Sequence, residues 1–253
     1  MITAIFPAAG QGRRMEAGIN KVFLELCGKP ILVHTLLAFS RCPAIDDLIV
    51  VVAPEEVGFI KKILCAIPGL KPYQVVAGGS ERQYSVYNGL AHVSTETELV
   101  LVHDAARPLV PQSVIEAVAA EAAKSGAAIA AVPVKDTIKV VNEDKAVLQT
   151  PSRSSLWMIQ TPQGFRRDLL VQAYQKAQLD AFVGTDDASL VERLGTSVKV
   201  VKSDYRNIKL TTPEDILIAE AFLRSEVSEM VKTLPAAISS AVHDIKHKIF
   251  KQR

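Results

Sequence analysis

The segment Ile5-Phe6-Pro7-Ala8-Ala9-Gly10-Gln11-Gly12-Arg13-Arg14-Met15 joins an apolar strand, predicted over Thr3–Phe6, to a loop of small residues. Small side chains leave the backbone N–H groups of such a loop open to phosphate oxygens. Three cations follow at Arg13, Arg14 and Lys21. Fixed cations beside a phosphate site suit the charge that develops during phosphoryl or nucleotidyl transfer. The segment therefore predicts a phosphate-binding loop at the end of the first strand of an α/β domain.

Other interpretations of the same loop are open. A lone Gly-x-Gly also fits a strand-to-helix turn whose glycines serve packing alone, because such short motifs give many false positives. A dinucleotide fingerprint needs a small residue where Met15 stands, and a Walker loop needs a Gly-Lys-Ser/Thr triplet that the segment lacks. We interpret the segment as a phosphate loop that carries its own arginines.

Composition limits the class of protein. The chain has 253 residues, of which 49% are hydrophobic and 22% charged, enough for one large α/β domain with a substantial core. A net charge of +2 does not indicate a nucleic-acid-binding surface. No basic leader precedes the first strand, and no apolar run approaches the roughly 18 residues of a spanning helix. We therefore expect a cytoplasmic protein with no nucleic-acid partner and no integral membrane segment.

Apolar β-rich runs alternate with helical patterns through the first half of the chain. Strands that are apolar on both faces, such as Ile-Val-Val-Val, predict a doubly wound, mostly parallel, Rossmann-like sheet covered by helices. Ligands of such sheets bind at the carboxyl ends of the strands, so the residues after each strand are the site candidates. Strands are predicted at Thr3–Phe6, Leu48–Ala53, Gln74–Val76, Leu99–His103 and Ala128–Pro133, and helices near Pro30–Ser40, Glu55–Ala66, Gln83–Val93 and Pro111–Lys124.

Two further loops follow predicted strands. The first reads Ala77-Gly78-Gly79-Ser80-Glu81-Arg82-Gln83-Tyr84-Ser85, and its glycines permit close approach of a flat ligand. It also fits a plain helix start, with Ser80 as the N-cap and Gln83 completing a capping box. The second reads His103-Asp104-Ala105-Ala106-Arg107-Pro108. There Asp104 is placed to hold a hydrated Mg²⁺ against phosphates, or else to cap the turn and pair with Arg107; we expect His103 to be a hydrogen-bonded residue and not a ligand.

The next segment predicts a protruding β-hairpin arm, about residues 134–162, with its turn at Asn142-Glu143-Asp144-Lys145. A two-stranded hairpin has little stability alone, so we expect it to pack on a second subunit. Farther along, Thr185 or Asp186 is a good helix N-cap. Lys209 lies between apolar residues, which predicts a short strand near the ligand cleft.

Several motifs, in order and with matching spacing, give the chain a family resemblance. The runs Pro-Ala-Ala-Gly-x-Gly-x-Arg-Met, Gly-Gly-x-x-Arg-x-x-Ser, His-Asp-Ala-Ala-Arg and Asn-Ile-Lys-x-Thr-x-Pro-Glu-Asp resemble the 2-C-methyl-D-erythritol 4-phosphate cytidylyltransferases of the non-mevalonate isoprenoid pathway. The similarity extends from about Ile2 to Leu223. Two departures stand out: Asn20-Lys21-Val22 replaces the usual Pro-Lys-Gln, and Asp187 stands where members carry a glutamate.

The resemblance implies an enzyme that transfers a cytidylyl group from CTP to 2-C-methyl-D-erythritol 4-phosphate with the help of Mg²⁺ at Asp104. It also implies a homodimer that exchanges the arm. The catalytic residues it implies are Arg14, Lys21, Arg153 and Lys209. The nucleotide-binding residues are Pro7, Ala8, Ala9, Gly10, Gly12, Arg13, Gly78, Gly79, Arg82, Ser85, Asp104 and Ala105. The substrate-binding residues are Arg107, Asp136, Thr137, Thr161, Thr185 and Asp187.

The resemblance also divides the chain, into a catalytic domain over residues 1–224 and a C-terminal extension over residues 225–253. Apolar residues recur there at helical spacing, which predicts an amphipathic helix: Leu234, Ile238, Val242, Ile245 and Ile249.

Alternative functions remain open. A cytidylyltransferase for another polyol phosphate, such as ribitol 5-phosphate, is disfavoured because those relatives tend to carry a glycine pair where this chain has Pro7-Ala8-Ala9-Gly10. A non-catalytic nucleotide-binding protein would not need Arg14, Lys21, Asp104 and Lys209 together. An NAD-dependent enzyme is disfavoured by Met15.

Overall fold

The computed structural model describes residues 1–10 and 20–232, with side chains as far as Ser225. The predicted site residues Gly12, Arg13 and Arg14 lie outside the described residues, as does the predicted extension from residue 233 onward. The elements in chain order are β1 Ile2–Pro7, β2 Glu25–Leu26, β3 Lys29–Pro30, α1 Ile31–Arg41, β4 Asp47–Val52, α2 Val57–Cys65, β5 Tyr73–Ala77, α3 Arg82–Leu90, β6 Leu99–Val102, α4 Gln112–Ser125, β7 Ala127–Pro133, β8 Val140–Val141, β9 Val147–Gln149, β10 Trp157–Arg166, α5 Arg167–Leu179, α6 Asp187–Glu192, β11 Lys199–Lys202 and α7 Pro213–Lys232.

Within the described ranges, seven strands form the central sheet in the order β11-β7-β10-β6-β1-β4-β5. All neighbours pair in parallel except β10, which is antiparallel to both β6 and β7. The predicted doubly wound, mostly parallel sheet is therefore confirmed.

The core lies on both faces of this sheet because the strands are apolar on both faces. Along β4, Leu48 and Val50 pack with α1 and α4 residues in one cluster, whereas Ile49 and Val51 pack with α3 and α5 residues in the other. All four side chains are fully buried. The loops that follow the strands, and not the strands themselves, are thus left to bind ligands.

The chain order of the sheet locates the ligand edge. From β1 the chain moves outward through β4 to β5, and it then returns to β6 on the other side of β1. This reversal opens a crevice at the carboxyl ends of β1 and β6, which is where ligands of open α/β sheets bind. The phosphate loop follows β1 and the His103–Pro108 loop follows β6, so both predicted loops meet there.

β10 is the main element that the sequence did not reveal. Its middle carries the polar residues Gln160 and Thr161 and then Pro162, and proline within a run argues against a strand. The structure accommodates them in an irregularity between Ile159 and Gln163, where the pairing with β7 shifts register. Such a bulge re-aims side chains, and here it turns Thr161 toward the loop after β6.

The hairpin arm is present as β8 and β9, which form a separate two-stranded sheet with exposed residues. At the other end of the chain, α7 continues past the predicted domain boundary at residue 224 as far as Lys232. Within the ranges that the structure describes, none of the helices has both the length and the apolar character needed to cross a membrane.

Candidate active site

A cavity of about 240 Å³ lies at the carboxyl ends of β1, β5 and β6. Its walls come from the three loops that the sequence singled out, together with the cations Lys21 and Lys209. The predicted nucleotide-binding residues that line it are Pro7, Ala8, Ala9, Gly10, Gly79, Arg82, Ser85, Asp104 and Ala105. The structure therefore brings residues from four separate parts of the chain to one site.

Lys21 is placed by its neighbour Asn20. The Asn20 side-chain amide donates to the Ala8 carbonyl at 2.7 Å, and its Oδ1 accepts from the Val22 N–H at 3.4 Å. Asn20 thereby caps the short 3-10 turn Lys21–Phe23 and ties it to the phosphate loop. The departure from the family's Pro-Lys-Gln pattern thus keeps the lysine, and Asn20 ties the backbone of its turn to the loop.

The loop after β5 is held just as closely. The Gly78 N–H donates to the Val52 carbonyl at 2.7 Å, and the Ser85 hydroxyl accepts from the Gly79 N–H at 3.1 Å. The helix N-cap is Glu81 and not Ser80, so the predicted capping box is wrong. The Gln83 side chain instead bonds the segment before α6: its Nε2 donates to the Phe182 carbonyl, and its Oε1 accepts from the Gly184 N–H.

Replacing Gly78 with alanine should disturb this loop. The added Cβ would lie 2.8 Å from Ala9 Cβ and 2.8 Å from Ser85 Oγ, so the loops after β1 and β5 must move. We expect the KM for CTP, the nucleotide that the resemblance implies, to rise about tenfold or more and the free energy of unfolding to fall by about 1–3 kcal/mol. The matched control is Gly58→Ala in α2, where the new Cβ meets nothing within 4 Å. Equal CTP kinetics for the two variants would contradict the close packing of the loop.

Asp104 is the electrostatic centre of the site. Its side chain contacts Arg82 at 3.4 Å, Arg107 at 3.2 Å and Lys209 at 3.0 Å. Burial by itself would raise the pKa of Asp104, but Lys209, Arg82 and Arg107 outweigh it and hold that pKa well below its ordinary value. Asp104 is therefore ionised. Because Arg82, Arg107 and Lys209 outnumber this carboxylate, the cluster of charged side chains has a net positive charge.

Hydrogen bonds through Thr161 link the buried His103 to the backbone of Asp104. His103 is fully buried, and its Nε2 lies 3.1 Å from the Arg107 carbonyl, so Nε2 carries the proton and donates. Its Nδ1 then accepts from the Thr161 hydroxyl at 3.0 Å, and the Thr161 oxygen accepts from the Asp104 N–H at 3.0 Å. The prediction that His103 is a hydrogen-bonded residue is confirmed.

His103 should make stability depend on pH. Burial lowers its pKa to about 4, so below the unfolded value of 6.5 the unfolded state takes up a proton that the folded state refuses. Stability therefore falls as pH drops from 6.5 toward 4, by about 2 kcal/mol between pH 7 and pH 5. Urea unfolding at those two pH values, without nucleotide or metal ion, should show this loss in the native protein. It should be much smaller in His103→Gln, and identical pH dependence in both would refute the assignment.

A second cavity, of about 340 Å³, opens beside the first. The two cavities share Arg82, Asp104 and Lys209, so this charged group lies between them. The remaining walls come from the β10 bulge, the loop before α6 and Arg107. Three predicted substrate-binding residues lie in this second cavity: Arg107, Thr161 and Thr185.

Asn207 fixes several groups of the second cavity, although no role was predicted for it from the sequence. Its side-chain amide donates to Gln160 Oε1 at 3.0 Å and to the Thr161 carbonyl at 2.8 Å, and its carbonyl accepts from Arg107 at 2.8 Å. Asn207 is fully buried and lies two residues before Lys209. The only hint in the sequence was that Asn207 lies inside a motif that matches the family. Its hydrogen-bond partners lie far away in the chain, so its role could not be predicted.

Not every predicted site residue reaches the cavities. Asp136, Thr137 and Arg153 are exposed on the arm, where Arg153 donates to the Lys135 carbonyl at 2.9 Å. Asp187, which was predicted to bind substrate, does not line either cavity. Its carboxylate is fully buried and bonded to Tyr174 and Arg82, so it has no open path to a substrate. Asp186, and not Asp187, is the N-cap of α6 and lines the second cavity.

The donor set fits a magnesium ion that arrives with a nucleotide. In the part of the chain that the structure describes, no three His, Cys, Asp or Glu side chains cluster to hold a metal ion by themselves. Mg²⁺ needs one or two carboxylates when phosphates and water supply the other ligands. Asp104 offers such a carboxylate at the cavity wall, ionised and set among cations that a polyphosphate would neutralise.

The chain is similar to known proteins over most of its length. The family model described as 2-C-methyl-D-erythritol 4-phosphate cytidylyltransferase matches residues 2–225. The chain belongs to this family. Curated members include those of Caldanaerobacter subterraneus, 49% identical over 88% of this chain and 99% of the relative, and Bacillus thuringiensis, 52% identical over 88% and 98%. The family resemblance of the motifs is thereby confirmed.

Solved structures of the family agree with the fold. The 4-diphosphocytidyl-2C-methyl-D-erythritol synthase of Anaerococcus prevotii is 36% identical and matches with a TM-score of 0.79 over 88% of this chain and 98% of that one. The 2-C-methyl-D-erythritol 4-phosphate cytidylyltransferase of Thermus thermophilus is 33% identical, with a TM-score of 0.72 over the same shares. The two cavities therefore lie in a fold that family members share.

Proposed function

We propose that this protein transfers the cytidylyl group of CTP to 2-C-methyl-D-erythritol 4-phosphate, giving 4-diphosphocytidyl-2-C-methyl-D-erythritol and pyrophosphate. Membership of the family supports the reaction. The observation that carries the proposal is the pair of cavities that meet at Arg82, Asp104 and Lys209. Two anionic substrates placed in them would meet at a cluster of cations.

The charge cluster explains how the substrates come together. A phosphate oxygen of the polyol substrate attacks the α-phosphorus of CTP in line, and pyrophosphate leaves. Both reactants are polyanions, so neutralising charge and fixing geometry are the main requirements. Lys209 and Arg107 face the second cavity and hold the attacking phosphate, whereas Lys21 faces the first and stabilises the leaving group.

The proposed reaction needs neither a protein nucleophile nor a general base. The attacking phosphate is already an anion at neutral pH, and it forms the new bond to phosphorus itself. His103 is unsuited to proton transfer because it is fully buried and its pKa is lowered to about 4, chiefly by burial. Arg14 is, by family resemblance, a second catalytic cation.

Magnesium completes the proposal through Asp104. When bound, Mg²⁺ would neutralise phosphate charge and polarise the phosphoryl oxygens. The protein's own contribution is to keep Asp104 ionised and oriented, through the Thr161 hydroxyl on its backbone and the three cations on its side chain.

The arm supports a homodimer in which each arm serves the neighbouring site. Arg153, Asp136 and Thr137 lie on an arm segment away from the cavities of their own chain. The apolar residues of the arm and of the start of β10, here called the arm patch, are each 38–66% exposed. They are Ile138, Val140, Val141, Val147, Leu148, Trp157, Met158 and Ile159. An exposed apolar surface of this kind indicates a protein interface.

The dimer is tested by charging the arm patch. Val147→Glu with Leu148→Glu places two carboxylates where apolar side chains are 58% and 66% exposed. We expect light scattering to show a dimer for the native protein and a monomer for the double variant, with turnover lowered about tenfold or more because Arg153 is withdrawn from the neighbouring site. Leu179→Glu, at a position 85% exposed on α5, is the matched control and should stay dimeric. A native monomer with full activity would refute the exchanged arm.

The nucleotide assignment is tested by thermal shift. CTP with Mg²⁺ should raise the melting temperature, and NAD should not, because only a ligand that binds the folded protein stabilises it. Stabilisation by NAD instead of CTP would favour the alternative of an NAD-dependent enzyme. Cytoplasmic location remains a prediction from the sequence.

A further inference from the structure

The mechanism leaves one buried ionic group unused. Asp187, at the start of α6, is fully buried, and Tyr174 of α5 is 1% exposed. Asp187 Oδ1 accepts from the Tyr174 hydroxyl, and its Oδ2 accepts from Arg82 Nη2 at 2.8 Å. A carboxylate without access to water needs such partners, because an unpaired buried charge is strongly unfavourable.

Arg82 is shared unequally between two carboxylates. Its Nη2 lies 2.8 Å from Asp187, whereas its Nε lies 3.4 Å from Asp104 Oδ1. Asp187 is therefore the firm anchor of the guanidinium. The other Asp104 oxygen, Oδ2, is closely engaged by Arg107 at 3.2 Å and Lys209 at 3.0 Å. The contact at Oδ1 is the longest of these three ion pairs, and Asp104 lines the cavity assigned to the nucleotide.

We propose that Asp187, oriented by the Tyr174 hydroxyl, draws the Arg82 guanidinium away from Asp104 and thereby keeps Asp104 Oδ1 available to the magnesium nucleotide, so that Asp187 and Tyr174 are positioning residues. This inference rests on the proposed function. It replaces the direct substrate contact expected of Asp187 with an indirect role through Arg82. Neither residue touches the reacting atoms.

The alternative geometry explains why an anchor is needed. Arginine binds a carboxylate most strongly through two parallel N–H···O bonds. Without Asp187, the guanidinium can turn to make such a pair with Asp104, which occupies Oδ1. A metal ion then has to compete with Arg82 for that oxygen.

The helices do not depend on this anchor for their relative position. Gln83, next to Arg82, bonds the Phe182 carbonyl at 2.9 Å and the Gly184 N–H at 2.8 Å, and so ties α3 to the segment before α6. Tyr174 also stacks on Tyr87 at 5.9 Å between ring centroids. Removing one hydroxyl or one charge can therefore redirect Arg82 while the surrounding packing is kept.

Four variants, two of them controls, test the inference. Tyr174→Phe removes only the hydroxyl that donates to Asp187, and Asp187→Asn removes the charge that attracts Arg82. Tyr87→Phe is the matched control, because it removes a hydroxyl from the stacked neighbour without touching Asp187. The first readout is the Mg²⁺ concentration that gives half-maximal turnover at saturating CTP. The second is Mn²⁺ affinity in the complex with CTP, measured by electron paramagnetic resonance without polyol substrate.

We expect the half-saturating Mg²⁺ concentration and the Mn²⁺ dissociation constant to rise together, about fivefold in Tyr174→Phe and tenfold or more in Asp187→Asn, with kcat at saturating Mg²⁺ changed less. Tyr87→Phe should match the native protein, and Asp187→Glu, which keeps the carboxylate, should retain most of the affinity. Unchanged Mn²⁺ affinity in Tyr174→Phe, even with a lowered melting temperature, would overturn the inference and leave the pair a structural one. A native protein that binds Mn²⁺ and CTP without turning over the polyol phosphate would refute the proposed function alone.

Discussion

Replacing Lys21 with alanine should lower kcat by about 10²-fold or more. Lys21 lines the cavity assigned to the nucleotide and is held on the phosphate loop through Asn20. In the proposed reaction its charge acts mainly on the negative charge that grows on the departing pyrophosphate, so we expect its loss to raise the barrier more than it weakens ground-state binding. Steady-state kinetics at saturating CTP and Mg²⁺ measures the effect.

The matched control for this change is Lys61→Ala, which removes an exposed lysine from α2. It should leave kcat and the melting temperature unchanged. Lys21→Arg keeps a cation but changes its shape and reach, so its kcat should fall between those of the native protein and the alanine variant. A Lys21→Ala enzyme with native kcat would remove Lys21 from the catalytic machinery.

Replacing Asp104 with asparagine should have an equally large effect, for a different reason. The change removes the carboxylate proposed to meet Mg²⁺ and leaves Arg107 and Lys209 facing an amide that can no longer balance their charge. We expect kcat/KM to fall by about 10²–10³-fold and the free energy of unfolding by about 3 kcal/mol. Raising the Mg²⁺ concentration should not restore the rate, because the missing oxygen anion cannot be replaced from solution.

Asp180→Asn provides the comparison for Asp104. Asp180 also bonds two cations, Lys176 at 2.9 Å and Arg193 at 2.7 Å, but it does so at the surface, directly after the end of α5. Kinetics and melting temperature of this variant should match the native protein. Equal activity losses in both variants would show that charge balance in general, and not the place of Asp104 between the cavities, determines the rate.

The sequence predicted the parts of the fold in which local pattern and tertiary structure agree. In β4, Asp47–Val52, every residue after Asp47 is apolar and buried, which is typical of an interior strand. The loops after β1, β5 and β6 were predicted to meet because parallel strands share one edge, and their residues line the same cavity.

The sequence failed where distant partners override a local pattern. Pro162 and the polar residues before it concealed β10, because the bulge that tolerates them is defined by pairing with β7, about 30 residues earlier. Gln83 fitted a capping box, but the Phe182 and Gly184 backbone groups offered it better partners. The family resemblance implied that Asp187 binds substrate. Its carboxylate is instead buried against Tyr174 and Arg82, and no local sequence rule predicts those distant contacts.

The central claim is the reaction itself, and pyrophosphate release tests it most directly. The native protein would be supplied with CTP and Mg²⁺ and with either 2-C-methyl-D-erythritol 4-phosphate or ribitol 5-phosphate. We predict rapid release with the first substrate and background rates with the second. Release with ribitol 5-phosphate alone would contradict the substrate assignment, and no release with either, despite CTP binding, would show that the paired cavities do not form a cytidylyltransferase site.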